Sequence, residues 1–308
     1  MDSKQHAEFV RAAVKPAFGR KKSLPSKYVP LYPKNAEREM KSMVNAYMKI
    51  LRKEVYDSLP ELMEAYQKTK RTDSREDGFF DLTQEIGRIF QKIGAGLEKK
   101  LAAFGLKKKV QKVAEGTKNT AFQEWKRCVQ KTVGLDLIDS YYTKDFYSGV
   151  MQPWIDSSVS AIQSIPQQEL GAMRDIISDG FRKDKPIADI VKEIRAEYKT
   201  SVGKAYFLAR DQIGTLNTEL TRRQHEDAGV SRYRWRDSGD ARVRDCHRFL
   251  NGRIFRWDDP PAMWTRKNGA IVLTGRHCHP GEDYGCRCHA EPVFDVDTLD
   301  LPIQGVTK

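Results

Sequence analysis

Through most of the N-terminal two thirds of the chain, apolar residues recur at three- and four-residue steps, the spacing of helices that bury one face. Met40, Met43, Val44, Tyr47, Leu51 and Val55 share such a face, and Asn35 is placed to cap the helix that begins at Ala36. A second helix over 79–104 carries Leu82, Ile86, Ile89, Phe90, Ile93 and Leu97, with Gly105 as its stop. Further helices are expected over 117–133, 144–164, 167–182 and 187–198, the last entered through Pro186. A long one follows over 202–228, ended by Gly229. The pair within 167–198 has the size of a DNA-reading helix-turn-helix. Its stripe of Ile187, Ile190, Val191 and Ile194 is explained without DNA by antiparallel helix packing, the reading preferred here.

After Gly229 the period changes to two. Ser231-Arg232-Tyr233-Arg234-Trp235-Arg236 alternates arginine with aromatic, and Gly252-Arg253-Ile254-Phe255-Arg256-Trp257 repeats the theme. The fold class is therefore α+β: a mostly α-helical N-terminal region, a long helix, and a small C-terminal α+β unit that a metal could staple. The expected segments are an extended basic arm over 1–35, a helical domain over 36–165, a C-terminal domain over 166–294 and a tail over 295–308. In the arm, eight lysines and arginines face only Asp2 and Glu8, and Pro16, Pro25, Pro30 and Pro33 disfavour a helix. Such an arm lies on a partner or is a loose tail, and its removal should cost little core.

Composition adds three constraints. The 308 residues carry a net charge of +12, which suggests an anionic partner, nucleic acid first, or else serves solubility alone. No stretch approaches the roughly 20 apolar residues of a membrane helix. The N-terminus lacks the apolar core of a signal peptide, so folding in a reducing cytoplasm is expected. There, clustered thiols bind metal more often than they pair. Four of the five cysteines and four of the six histidines fall between Cys246 and His289, while Cys128 stands alone as a small hydrophobe. Three readings of the cluster stand: a zinc site, a disulfide such as Cys246 with Cys278 or Cys286, or plain packing.

The residues ARDQIGTLNTELTRRQHEDAGVSRYRWRDSGDARVRDCHRFLNGRIFRWDDPP, followed by HCHPGEDYGCRCHAEPVF, make the chain from Ile176 to Phe294 resemble the phage Mu F-like minor head protein family, the phage head morphogenesis group. The resemblance implies a virion component of a tailed phage or prophage, lying in the head interior or at the portal vertex and in the host cytoplasm during assembly. Its implied partners are the portal protein and other head proteins, with non-specific contact to packaged DNA. Its implied roles are head assembly, DNA packaging and, in some members, genome delivery, with no catalytic activity. The alternative is a metal-dependent nuclease or non-specific DNA-binding protein using the His/Cys cluster, with Glu282 and Asp283 in the same loop.

Within that resemblance the candidate residues fall into three sets. Cys286 and Cys288 point the same way in an extended segment, and Pro280-Gly281 can turn the chain back toward His279. Some family members carry Cys-x-x-Cys where this chain has Arg244 and His247, which implies His247 as the fourth ligand. The expected structural zinc site is thus His247, His279, Cys286 and Cys288, with Cys246, Cys278, His277 and His289 as alternates. Arg232, Arg234, Arg236, Arg242, Arg244 and Arg248 either grip phosphate beside the aromatics or pair internally. Arg210, Asp211, Gln212, Asn217 and Asp240 are expected to form a polar network between the long helix and the strands.

Overall fold

Helices dominate the chain, as their apolar stripes require. The computed structural model describes residues 3–70 and 75–303. In order they are α1 (Ser3–Phe18), β1 (Ser23–Pro25), α2 (Lys34–Lys70), α3 (Arg75–Ala103), α4 (Leu106–Val133), α5 (Lys144–Arg182), α6 (Ile187–Asp227), β2 (Arg232–Arg236), α7 (Asp245–Leu250), β3 (Ile254–Arg256), β4 (Ala262–Lys267), β5 (Ala270–His277) and β6 (His289–Asp295). The α+β class holds. The helices expected over 144–164 and 167–182 are one helix, α5, which runs through Pro166, and those over 187–198 and 202–228 are one helix, α6. No described helix is long and apolar enough to cross a membrane.

The chain forms two units that interleave in sequence. One comprises residues 38–111 and 155–209, the other 1–37, 112–154 and 210–308. The cut expected at 165/166 therefore falls inside α5.

The first unit is a helical assembly. Met40, Val44, Leu51 and Val55 of α2 and Ile89 and Leu97 of α3 are buried. Tyr66 stacks on Phe181 with ring centroids 4.2 Å apart. Ile190 lies so close to Gly180 that a side chain there would overlap it. Ile190 and Ile194 are buried, so the stripe serves helix packing.

The second unit holds the sheet. Its strand order is β1-β6-β2-β3, every pair antiparallel. Here the expectation of an extended arm fails. α1 places His6, Val10, Val14 and Phe18 at four-residue steps, and all four are buried. Pro16 is tolerated because it sits in the last turn, where only one helical hydrogen bond is lost. β1 then pairs with β6, with Leu24 opposite Phe294 and Pro25 on the sheet edge, a position proline can occupy. Nor is the C-terminal segment a loose tail as far as Ile303. Leu299, Leu301 and Ile303 are buried, and Ile303 bridges Leu137. Gly229 is left-handed (φ 69°), and its bare α-carbon lets the Thr298 carbonyl approach. The remainder of the expected tail, 304–308, lies outside the described residues.

The alternation in β2 is a strand, as expected, but its partners decide its role. Tyr233 and Trp235 are fully buried. On the opposite face Arg234 and Arg236 both bind Glu291, itself fully buried, and Arg232 binds Asp295 at 3.2 Å. All three arginines thus pair with carboxylates of the neighbouring strand β6.

Candidate metal centre

Three elements of the second unit converge below the sheet. α7 carries His247, the loop before β6 carries Cys286 and Cys288, and α6 braces that loop. Gly214 on α6 has no room for a side chain, because the carbonyls of Cys286 and Gly281 would lie 2.8 and 2.9 Å from its β-carbon. The Asp211 carboxylate accepts the Gly285 N–H at 2.8 Å, and the Thr218 hydroxyl donates to the Pro280 carbonyl at 2.5 Å.

His247, Cys286 and Cys288 bring their ligand atoms within 4.8 Å of one another, all three buried. His247 Nδ1 lies 3.5 Å from each sulfur. Ligands at zinc's usual bond lengths in a tetrahedron are about 3.6 Å apart. Both nitrogen–sulfur separations therefore already match a tetrahedral edge. On the far side of the ring, His247 Nε2 lies 3.1 Å from Asp283 Oδ2, the carboxylate support that orients a metal-binding imidazole. The Trp235 indole N–H, buried and satisfied by no oxygen or nitrogen, sits beside the Cys288 sulfur and favours its thiolate. The residues present thus fit a thiophilic ion.

Electrostatics points the same way. Burial opposes a charge on His247, but Asp283 and the Cys286 sulfur raise its pKa to about 9. Burial likewise opposes ionisation of Asp283, yet His247, Arg244 and Arg276 bring it down to about 2. Hydrogen bonding from Cys288 and the His247 charge hold Cys286 well below the usual thiol range, while the Cys286 thiolate and burial push Cys288 up. A bound cation would have to displace the protons held by His247 and Cys288, so its binding would release protons.

The other sequence-derived ligands lie elsewhere. His279 Nδ1 meets the Tyr233 hydroxyl at 2.8 Å, and its ring packs on Trp257. Burial lowers its pKa to about 4. Pro280-Gly281 turns the chain away, so His279 joins the aromatic core instead of the cluster. His277 is exposed and meets the Pro260 carbonyl at 3.0 Å. Cys246 and Cys278 are buried outside the trio, and no described cysteine is in a disulfide. Both ring nitrogens of His289 are buried without a partner, beside a small cavity lined also by Cys128, Asn217 and Gln224.

The expected polar network is dispersed. Asp211 holds the metal loop, the Gln212 carbonyl accepts the Trp154 indole N–H at 2.8 Å, and Asn217 faces the small cavity. Arg210 lies 3.7 Å from Glu37, and Asp240 lies 3.5 Å from Arg287. Arg244 binds Asp283 at 3.4 Å and the Tyr284 carbonyl at 2.6 Å, whereas Arg242 and Arg248 are exposed. Sequence reasoning missed Arg287, which binds Glu37 at 2.8 Å. Its signal was its place between Cys286 and Cys288, where an extended chain points it the opposite way.

Near this site lies a pH-sensitive contact. His225 is fully buried, and its Nδ1 accepts the Trp257 indole N–H at 3.2 Å. Burial lowers its pKa from the usual 6.5 to about 3. The unfolded chain therefore takes up this proton first. The contribution is complete above about pH 6.5 and is lost progressively as pH falls from there toward 3. The urea midpoint is expected to drop between pH 7.5 and pH 5, and His225→Gln, which still accepts the indole proton, should flatten that slope. Equal slopes in both proteins would exclude the assignment.

With the geometry in place, comparison with known proteins adds a likeness over part of the chain. Residues 172–291 match the family of phage Mu protein F like proteins, and over this segment the resemblance seen in the sequence holds. The chain is also similar to an uncharacterised protein of Haemophilus influenzae strain Rd, 33% identical over 138 residues. The alignment covers 45% of this chain and 28% of that relative's length. No solved structure matches the chain.

Proposed function

We propose that the chain is a minor head protein of a tailed phage or prophage, acting in head morphogenesis at the portal vertex, with zinc at His247, Cys286 and Cys288 stapling its C-terminal unit. The observation that carries this reading is the family match over 172–291, the segment that contains all three cluster residues. Its partners are then the portal protein and other head proteins, with DNA packaging and genome delivery as the stages served. Non-specific contact with packaged DNA would fall to the exposed Arg242, Arg248 and Arg253, the last over the Phe249 ring at 3.7 Å, because Arg232, Arg234 and Arg236 are already paired.

The nuclease alternative draws less support. Glu282 accepts the His279 backbone N–H at 2.6 Å, and Asp283 is shared by His247, Arg244 and Arg276. Neither carboxylate is left over as a general base. The test is quantitative mass spectrometry of purified virions and assembly intermediates. The protein is expected at a few copies per head and in complexes captured on the portal protein. Its absence from both would overturn the proposal.

A further inference from the structure

The cluster supplies three ligands, and among the described residues no fourth histidine, cysteine or carboxylate joins them. Structural zinc sites are closed by four protein ligands, whereas a site with three keeps one position for something from outside. That position has a way in. His247, Cys286 and Cys288 form part of the wall of a small pocket of about 40 Å³ that opens to solvent. The rest of its lining includes Arg210, Arg242, Arg244 and Arg287, with Asp240 as the one carboxylate.

Charge selects the visitor. A divalent ion with two thiolates and a neutral imidazole is neutral, so a fourth ligand need not be neutral itself. Of the pocket arginines, Arg287 is matched by Glu37 and Arg244 by Asp283. Arg242 makes neither a hydrogen bond nor an ion pair through its guanidinium among the described residues; only its backbone N–H is engaged, by Asp240 at 2.8 Å. Arg210 Nε is buried without a hydrogen-bond partner and lies 3.7 Å from Glu37, a carboxylate it shares with Arg287, so it is only partly matched. Asp240 is held by that N–H and lies 3.5 Å from Arg287, so it is occupied. Unspent guanidinium beside an open coordination position suits an oxyanion, and guanidinium geometry suits phosphate.

We infer that the centre is a ligand-accepting one: its fourth position takes a phosphate group, steadied by Arg242 and Arg210. This rests on the metal assignment proposed above. The full-length protein is loaded with cobalt(II), whose visible bands report coordination, and titrated with inorganic phosphate. A parallel titration uses a 5′-phosphorylated trinucleotide and its 5′-hydroxyl counterpart. A saturable band shift is expected with phosphate or the 5′-phosphorylated strand, the tighter one naming the source, and none with the hydroxyl strand. Arg242→Ala should weaken the response at least about tenfold at unchanged cobalt content. One cobalt per chain with bands indifferent to both phosphates would overturn the inference while leaving the metal intact. An unweakened response in Arg242→Ala, or loss of cobalt in Asp240→Ala, would overturn it too, the latter by making Asp240 the fourth ligand. Failure to bind cobalt at all would overturn the metal assignment and the inference together.

Discussion

Cys286→Ser is expected to release the metal and melt the sheet of the second unit. The reason is one of scale. Structural zinc contributes on the order of 10 kcal/mol or more to folding, comparable to the whole stability of a domain. Serine removes one of the two thiolates among the three ligands. Met263, Trp264 and the β4–β5 hairpin pack around the site, but Ile271, Val272 and Leu273 of that hairpin face solvent. Metal content by elemental analysis and the fluorescence of the buried Trp235 and Trp257 report the two effects together. Cys246→Ser is the control, since Cys246 is buried but outside the trio. About one zinc per chain in Cys286→Ser, or an unchanged melting curve after chelation of the parent, would refute the assignment.

Removing residues 1–25 should be nearly as damaging. It takes away α1 and β1, and with them four fully or nearly buried apolar side chains, Val10, Val14, Phe18 and Leu24. At roughly 1.5–3 kcal/mol each, their loss approaches the net stability of a typical domain. It also uncovers the β6 edge that β1 covers. The truncated chain is expected to aggregate or to lose cooperative unfolding by calorimetry. A truncated protein that melts cooperatively within a few degrees of the parent would return α1 to the status of an appendage.

These two regions also mark where the sequence could and could not be read. His247, Cys286 and Cys288 stood out because soft ligands are rare and their clustering is visible without a fold. His279 was indistinguishable from them by type; only the Pro280-Gly281 turn sends it to Tyr233 instead. In α1 the four-residue stripe of His6, Val10, Val14 and Phe18 was present, but four prolines and a run of positive charge argued louder. The period-two pattern of β2 revealed a strand and could not reveal Glu291, whose contact with Arg234 and Arg236 is made across the sheet. The β4–β5 hairpin turns on Asn268-Gly269, both with positive φ, a two-residue signature legible in the sequence.

The pairing of β1 with β6, and of His6 with the Leu301 carbonyl 295 residues away, also sets an order of events during synthesis. These contacts of β1 and α1 cannot form until β6 and the segment through Ile303 have left the ribosome. Residues 38–111 and 155–209 can meanwhile complete their own core. The unit that carries the metal cluster is therefore the last to close, and its closure waits on a contact of very high sequence separation, which is slow by the entropy of the loop it must shut. A ribosome stalled before β6 would hold a chain with its helical unit formed and its first helix still waiting.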